Sequence, residues 1–232
     1  MATQPIYQFY AELEDYKPKI WRRFQVAGNI TIARLGYIVM TMYEMNASHL
    51  LAIEHERPYL APSGKQSSRM ELIGRYDIPD IDGNLFDPDN GDATKIKLSS
   101  LKSLEPPSYL VVWYDFGDDW RVRITLERIF SDPDLPGKEL PRVLEGKGYG
   151  IIEDCGGIWG LADLTEAFKE KNGEEYEHYR EWLGVDDLET FNLDDVNFRL
   201  KKLPAIYAKI YEQKLYPTKA SIDLIERRYL EK

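Results

Sequence analysis

The 232-residue chain predicts an α+β fold, with an N-terminal β-hairpin, a mixed or antiparallel sheet and helices gathered toward the C-terminal half. Three observations predict it. Period-2 alternation is concentrated before residue 130, helical spacing dominates after residue 160, and hairpin-like turns replace regular βαβ alternation.

Residues 5–13 place Tyr7, Phe9, Ala11 and Leu13 on one face and read as a strand. Asp15-Tyr16-Lys17-Pro18 is a turn signal, and Ile20 to Val26 resumes the extended pattern, which makes a hairpin. Asn29 or Thr31 can cap a helix with apolar positions Ile32, Leu35, Val39, Met42 and Tyr43. A short strand follows at residues 49–53, then loops at 61–69 and 77–93 rich in Ser, Gly, Pro and Asp. Leu98, Leu101 and Leu104 predict a short helix over 96–104, and strands are expected at 109–114 and 120–130. Pro133, Pro136, Gly137 and Pro141 mark a long connection. Helices are expected over 160–170, 174–183 and from 193 onward, with Pro204 kinking or interrupting the last.

A net charge of -10 opposes unaided binding to a phosphate backbone or an anionic membrane surface. The single cysteine, Cys155, rules out an intramolecular disulfide framework and suits a reducing compartment. Three histidines and one cysteine are too few for an ordinary Cys/His zinc site. With no basic-then-apolar leader and no long apolar run, the expectation is a soluble cytoplasmic protein.

The densest chemistry lies in Tyr114-Asp115-Phe116-Gly117-Asp118-Asp119-Trp120, three carboxylates crowding one tight connection. Asp115, Asp118 and Asp119, joined by Glu153 or Asp154, could bind Mg²⁺, Ca²⁺ or Mn²⁺ through hard oxygen ligands. The simpler reading is a hairpin in which Gly117 supplies a positive φ and the aspartates accept backbone N–H bonds. The loops Asp80 to Asn84 and Asp87 to Asp92 lack the glycine and glutamate positions of an EF-hand and read as acidic surface. Cys155 precedes two glycines, yet Glu153 and Asp154 beside it would raise its thiol pKa, which favours packing over nucleophilic catalysis. His49 is a candidate for ligand contact or a structural hydrogen bond, whereas His55 and His178, flanked by charge, read as solvated. Alternation separates Arg22 from Trp21 and Arg23, so the three make no single nucleic-acid patch; the arginines could instead neutralise Asp118 and Asp119.

Four ordered segments together resemble the plasmid pRiA-type ORF-three-like family. They are Lys19-Ile20-Trp21-Arg22-Arg23 with the following helix and Ser48-His49-Leu50; the acidic run 114–120; Gly146 to Gly157, ending Glu153-Asp154-Cys155-Gly156-Gly157; and a tail with Trp182-Leu183-Gly184 and Asp195-Val196-Asn197. The resemblance spans about residues 5–203. It implies a roll-like α+β domain but no established activity. The transposon-passenger label of some members implies a link to mobile elements, although the sequence has no serine-recombinase arrangement and no basic tail. Val122, Leu51 and Ile151-Ile152 stand where such proteins usually have histidine, histidine and a proline pair. A histidine-based metal site would thus lack two ligands here.

The expected organisation is a domain over 1–203 and a helical extension over 204–232 that packs on the domain or on a second chain as a homodimer. The expected function is a non-catalytic module binding a protein or small-molecule partner through His49, Asp115, Asp118, Asp119, Glu153, Asp154 and Cys155. The alternatives are a divalent-metal-dependent, hydrolytic enzyme and a nucleic-acid-associated transposon accessory protein.

Overall fold

Alternating apolar residues form the first hairpin, β1 (Ile6–Leu13) and β2 (Trp21–Ala27). Six more strands join it: β3 (Leu51–Leu60), β4 (Gln66–Asp77), β5 (Gly91–Asp92), β6 (Tyr109–Tyr114), β7 (Trp120–Phe130) and β8 (Arg142–Lys147). The structure is a computed structural model that describes residues 4–60, 66–80 and 82–231. Its sheet runs β5-β4-β3-β6-β7-β1-β2-β8. Among the described residues only the short β4–β5 pairing is parallel.

Register follows burial. Phe9, Ala11 and Leu13 lie opposite Leu126, Ile124 and Val122, all in the core. Val122 thus fills the interior beside Trp120. The intervening residues turn to the other face of the sheet, where Arg123 bonds Glu14 at 2.5 Å and Glu56 at 2.8 Å. A sheet with one apolar and one charged face is the expected result of strict alternation.

Thr31 caps α1 (Ile32–Met42) by accepting the Arg34 N–H at 3.1 Å. All its residues except Arg34 are buried, because it lies against the sheet while later helices cover it. These are α2 (Gly157–Glu170), α3 (Gly173–Leu183), α4 (Leu193–Leu200), α5 (Leu203–Tyr211) and α6 (Lys219–Ile225), of which α4 and α5 pack on α1. Beyond α6, Arg227 reaches back to Glu44 at 2.8 Å and Asp195 at 3.0 Å. No helix among the described residues is long and apolar enough to cross a membrane.

Several local expectations are corrected. Residues 96–104 hold only a 3-10 turn at Leu98–Ser100, although Leu98, Leu101 and Leu104 are buried as their spacing implied. The expected loop 61–69 lies partly outside the described residues, and its remainder belongs to β4. β8 interrupts what looked like connection. Pro204 begins α5 instead of kinking a longer helix, its missing N–H costing nothing in the first turn. His55 is buried on β3, and burial lowers its pKa.

Candidate functional site

The acidic turn joins β6 to β7, and its left-handed residues are Asp115 (φ 51°) and Asp119 (φ 54°). Gly117, assigned that role from sequence, has no positive φ. Asp115 tolerates the conformation because its Oδ1 accepts the Gly117 N–H at 3.0 Å and the Asp118 N–H at 3.4 Å. The carboxylate therefore closes its own turn with one oxygen and leaves Oδ2 facing outward to His49.

The segment 150–157 follows β8 at one edge of the sheet and is held in register. Arg22, fully buried, donates to the carbonyls of Lys147 at 2.8 Å, Gly148 at 2.7 Å and Tyr149 at 2.5 Å, and stacks on Phe191. Burial holds its pKa down to about 10. The Ile151 N–H then donates to the Tyr43 carbonyl at the end of α1. Glu153 Oε1 accepts the Asn46 N–H at 2.6 Å and the Tyr114 hydroxyl at 2.8 Å. Gly157, at φ 69°, starts α2 so close to the turn that a Cβ would lie 2.5 Å from the Asp118 carbonyl oxygen. Glycine is the one residue that allows this approach.

His49, just before β3, stands between these elements. Its Nδ1 is 3.4 Å from Asp115 Oδ2, and its Nε2 is 3.4 Å from Glu153 Oε2 and 3.7 Å from Asp154 Oδ1. Both ring nitrogens therefore face carboxylate oxygens. The ring meets Tyr114 edge-on at 5.7 Å, and the Tyr211 hydroxyl of α5 donates to the His49 carbonyl at 2.6 Å. Burial raises the pKa of Glu153 despite its two donors and the nearby imidazole, and raises that of Tyr114. Beside His49 and Asp115 lies a hollow of about 500 Å³ that Leu50, Phe116 and Lys214 also line.

Four of the seven candidate residues, His49, Asp115, Glu153 and Asp154, thus form one cluster. Asp118 and Cys155 form a neighbouring pair. Asp118 Oδ2 is buried with no hydrogen-bond partner among the described residues, and the Cys155 thiol lies 3.7 Å from the Gly157 carbonyl. Burial first, then the Asp118 charge, pushes the thiol up to about 12, so it is a poor nucleophile. Asp119 turns away and pairs with Arg121 at 2.9 Å. The arginines expected to neutralise the turn do not reach it, since Arg22 holds carbonyls and Arg23 pairs with Glu127 and Glu145. Among the described residues no group of three His, Cys, Asp or Glu side chains has the spacing to hold a metal ion.

Sequence reasoning missed Asn46, Tyr211 and Lys214. Tyr211 and Lys214 fall beyond the resembling segments, and Asn46 acts through its backbone, which leaves no residue-type signal. Tyr114 was visible as the first residue of the acidic run, but only as a strand residue.

The sequence profile of plasmid pRiA4b ORF-3-like proteins matches residues 5–199. The uncharacterised protein y4hQ of Sinorhizobium fredii (strain NBRC 101917 / NGR234) is 28% identical over 202 residues, covering 85% of this chain and 91% of its own length. A crystal structure of MM3350, a protein of unknown function from Methanosarcina mazei Go1, superposes with a TM-score of 0.65 at 29% identity, over 84% of this chain and 98% of that one. The chain belongs to the plasmid pRiA4b ORF-3-like family.

Proposed function

We propose that the protein is a non-catalytic binding module whose recognition site is the hollow beside His49, and that the group it receives is cationic. One observation supports this reading above the rest: Asp115, Glu153 and Asp154 converge on one imidazole from two segments far apart in sequence. Asp115 lines the hollow and Glu153 and Asp154 stand behind the imidazole, so three carboxylates face one ring, while the lining Lys214 ammonium is held by the Pro79 carbonyl at 2.7 Å. Leu50 and Phe116 add apolar wall, the mixture that recognises an amine or guanidinium on an organic body. The raised thiol of Cys155 favours binding over covalent chemistry at that residue.

The test is titration with N-acetyl-arginine amide, followed by NMR and calorimetry, with N-acetyl-glutamine amide as the neutral control. Saturable binding of the cation, weakened roughly tenfold by Asp115→Asn with unchanged melting temperature, is the expected result. Equal binding of the neutral control, or a variant that merely unfolds, removes the reading. Marked stabilisation by Mn²⁺ or Zn²⁺, lost in His49→Ala, would favour the metal-dependent alternative instead.

A further inference from the structure

A smaller recess, of about 220 Å³, opens beside the hollow that His49 and Asp115 line. Leu50, Phe116, Tyr211 and Lys214 line both, so the two spaces meet across one shared row of side chains. Asp115 belongs to the hollow alone, whereas Ile78, Leu85 and Phe86 belong to the recess alone. The chain after β4 builds the recess by turning on Asp80, whose Oδ1 accepts the Asp82 N–H at 2.9 Å and the Asn84 N–H at 2.8 Å. That turn delivers Phe86 to Phe116, and the two rings meet edge-on at 6.2 Å.

The polar groups at the border of the recess are engaged locally. Asp77 accepts from Arg75 Nε at 3.0 Å and from Asn90 Nδ2 at 2.7 Å, and Lys214 donates to the Pro79 carbonyl at 2.7 Å. Asp80 spends both oxygens on its own turn. Most of the remaining lining is apolar. Leu50 is 62% exposed and Phe86 75% exposed, so two large apolar side chains flank one recess uncovered. In the hollow, the nearest partner of Asp115 Oδ2 among the described residues is His49 Nδ1 at 3.4 Å. That separation is longer than a good hydrogen bond and leaves the oxygen free to accept another donor.

We propose that the ligand of the hollow is an arylalkyl amine, its ammonium against Asp115 Oδ2 and its ring in the recess between Leu50, Leu85 and Phe86. This rests on the reading of the hollow as a cation site and adds the class of molecule that carries the cation. The recess has room for one ring, and the planes of Phe86 and Phe116 stand at 81° to each other. A third ring entering there meets an aromatic face and an aromatic edge, the geometry that aromatic groups prefer. A short alkyl chain crosses the shared row at Leu50 and Phe116, where apolar surface faces both spaces.

The probe is 4-phenylbutylamine, titrated into the full chain by NMR, with butylamine as the cation without a ring and 4-phenylbutanol as the ring without a cation. The arylalkyl amine is expected to bind roughly tenfold more tightly than butylamine, the gain from burying one ring, and roughly tenfold more tightly than the alcohol. Phenyl protons should show intermolecular NOEs to the methyl groups of Ile78 and Leu85. Phe86→Ser should reduce the gain from the ring to about threefold or less. Butylamine binding and the melting temperature should stay unchanged in that variant, since the side chain is largely exposed. Asp115→Asn should weaken both amines alike. Butylamine binding with no gain from the ring, NOEs confined to the hollow, or a gain that survives Phe86→Ser would each overturn this proposal and leave the cation site standing. Equal binding of the alcohol would overturn it too, because the ammonium would then contribute nothing. Failure of both amines and of N-acetyl-arginine amide to bind would instead remove the cation site, and this proposal with it.

Discussion

The Tyr114 hydroxyl donates to Glu153 Oε1 at 2.8 Å, joining the last residue of β6 to a loop 39 residues later. This bond locks the two acidic elements together, and His49 sits against both partners. Tyr114→Phe should cost about 1 kcal/mol in urea unfolding, the usual cost of a lost hydrogen bond, and should raise the Glu153 pKa further. An unchanged unfolding midpoint would show that the bond contributes nothing.

Glu153 also predicts a pH dependence. Burial raises its folded-state pKa above the unfolded value, so the folded protein holds that proton more tightly. Its contribution to stability is fully present below the unfolded glutamate pKa and is lost as pH rises through the raised folded value. Glu153→Gln keeps an acceptor for Asn46 and Tyr114 while removing the buried charge. The variant should flatten this part of the stability profile and gain on the order of 1 kcal/mol at neutral pH. Chemical denaturation across the acid range measures it.

Arg22 serves backbone carbonyls of Trp21, Lys147, Gly148 and Tyr149 and no carboxylate. Arg22→Met leaves several buried acceptors without donors and should cost about 3 kcal/mol or more. Arg22→Lys should recover little, because one ammonium cannot reproduce the planar fork. Midpoints in urea for both variants provide the comparison.

Buried Glu44, Arg199 and Arg227 and the partly buried Asp195 form a quartet of two acids and two bases. Arg227→Met leaves the acids in excess and should cost roughly 3 kcal/mol. Adding Asp195→Leu restores the balance, since Arg199 still pairs with Glu44, and should recover part of the loss in a double-mutant cycle.

Cys155, with its thiol pushed up to about 12, should react with iodoacetamide at pH 8 about a hundredfold or more slowly in the folded protein than in denaturant. Mass spectrometry of the alkylated chain reads this directly, and equal rates would contradict the burial that causes the shift.

The sheet core was legible because alternation is local. Phe9, Ala11, Val122 and Ile124 declare their face through spacing alone, and Thr31 announces α1 through its side chain. β4 and β8 were not legible: β8 is an edge strand and β4 is paired by β5 only at Tyr76 and Asp77, so their Arg and Glu positions carry no core alternation. His55 read as solvated among its charged neighbours, yet its own side chain points into the core by the same alternation that sends Glu54 and Glu56 to the charged face of the sheet, against Arg121 and Arg123.

From the sequence alone came the α+β class, the acidic turn, the Glu-Asp-Cys-Gly-Gly segment and the resemblance that residues 5–199 bear out. Only the tertiary structure decided that Asp115, Glu153 and Asp154 meet around His49 while Asp119 and Cys155 do not. Side-chain spacing reports which face a residue occupies within its own element. Which elements meet depends on long-range register, set here by the carbonyls that Arg22 holds and by the close approach that Gly157 permits.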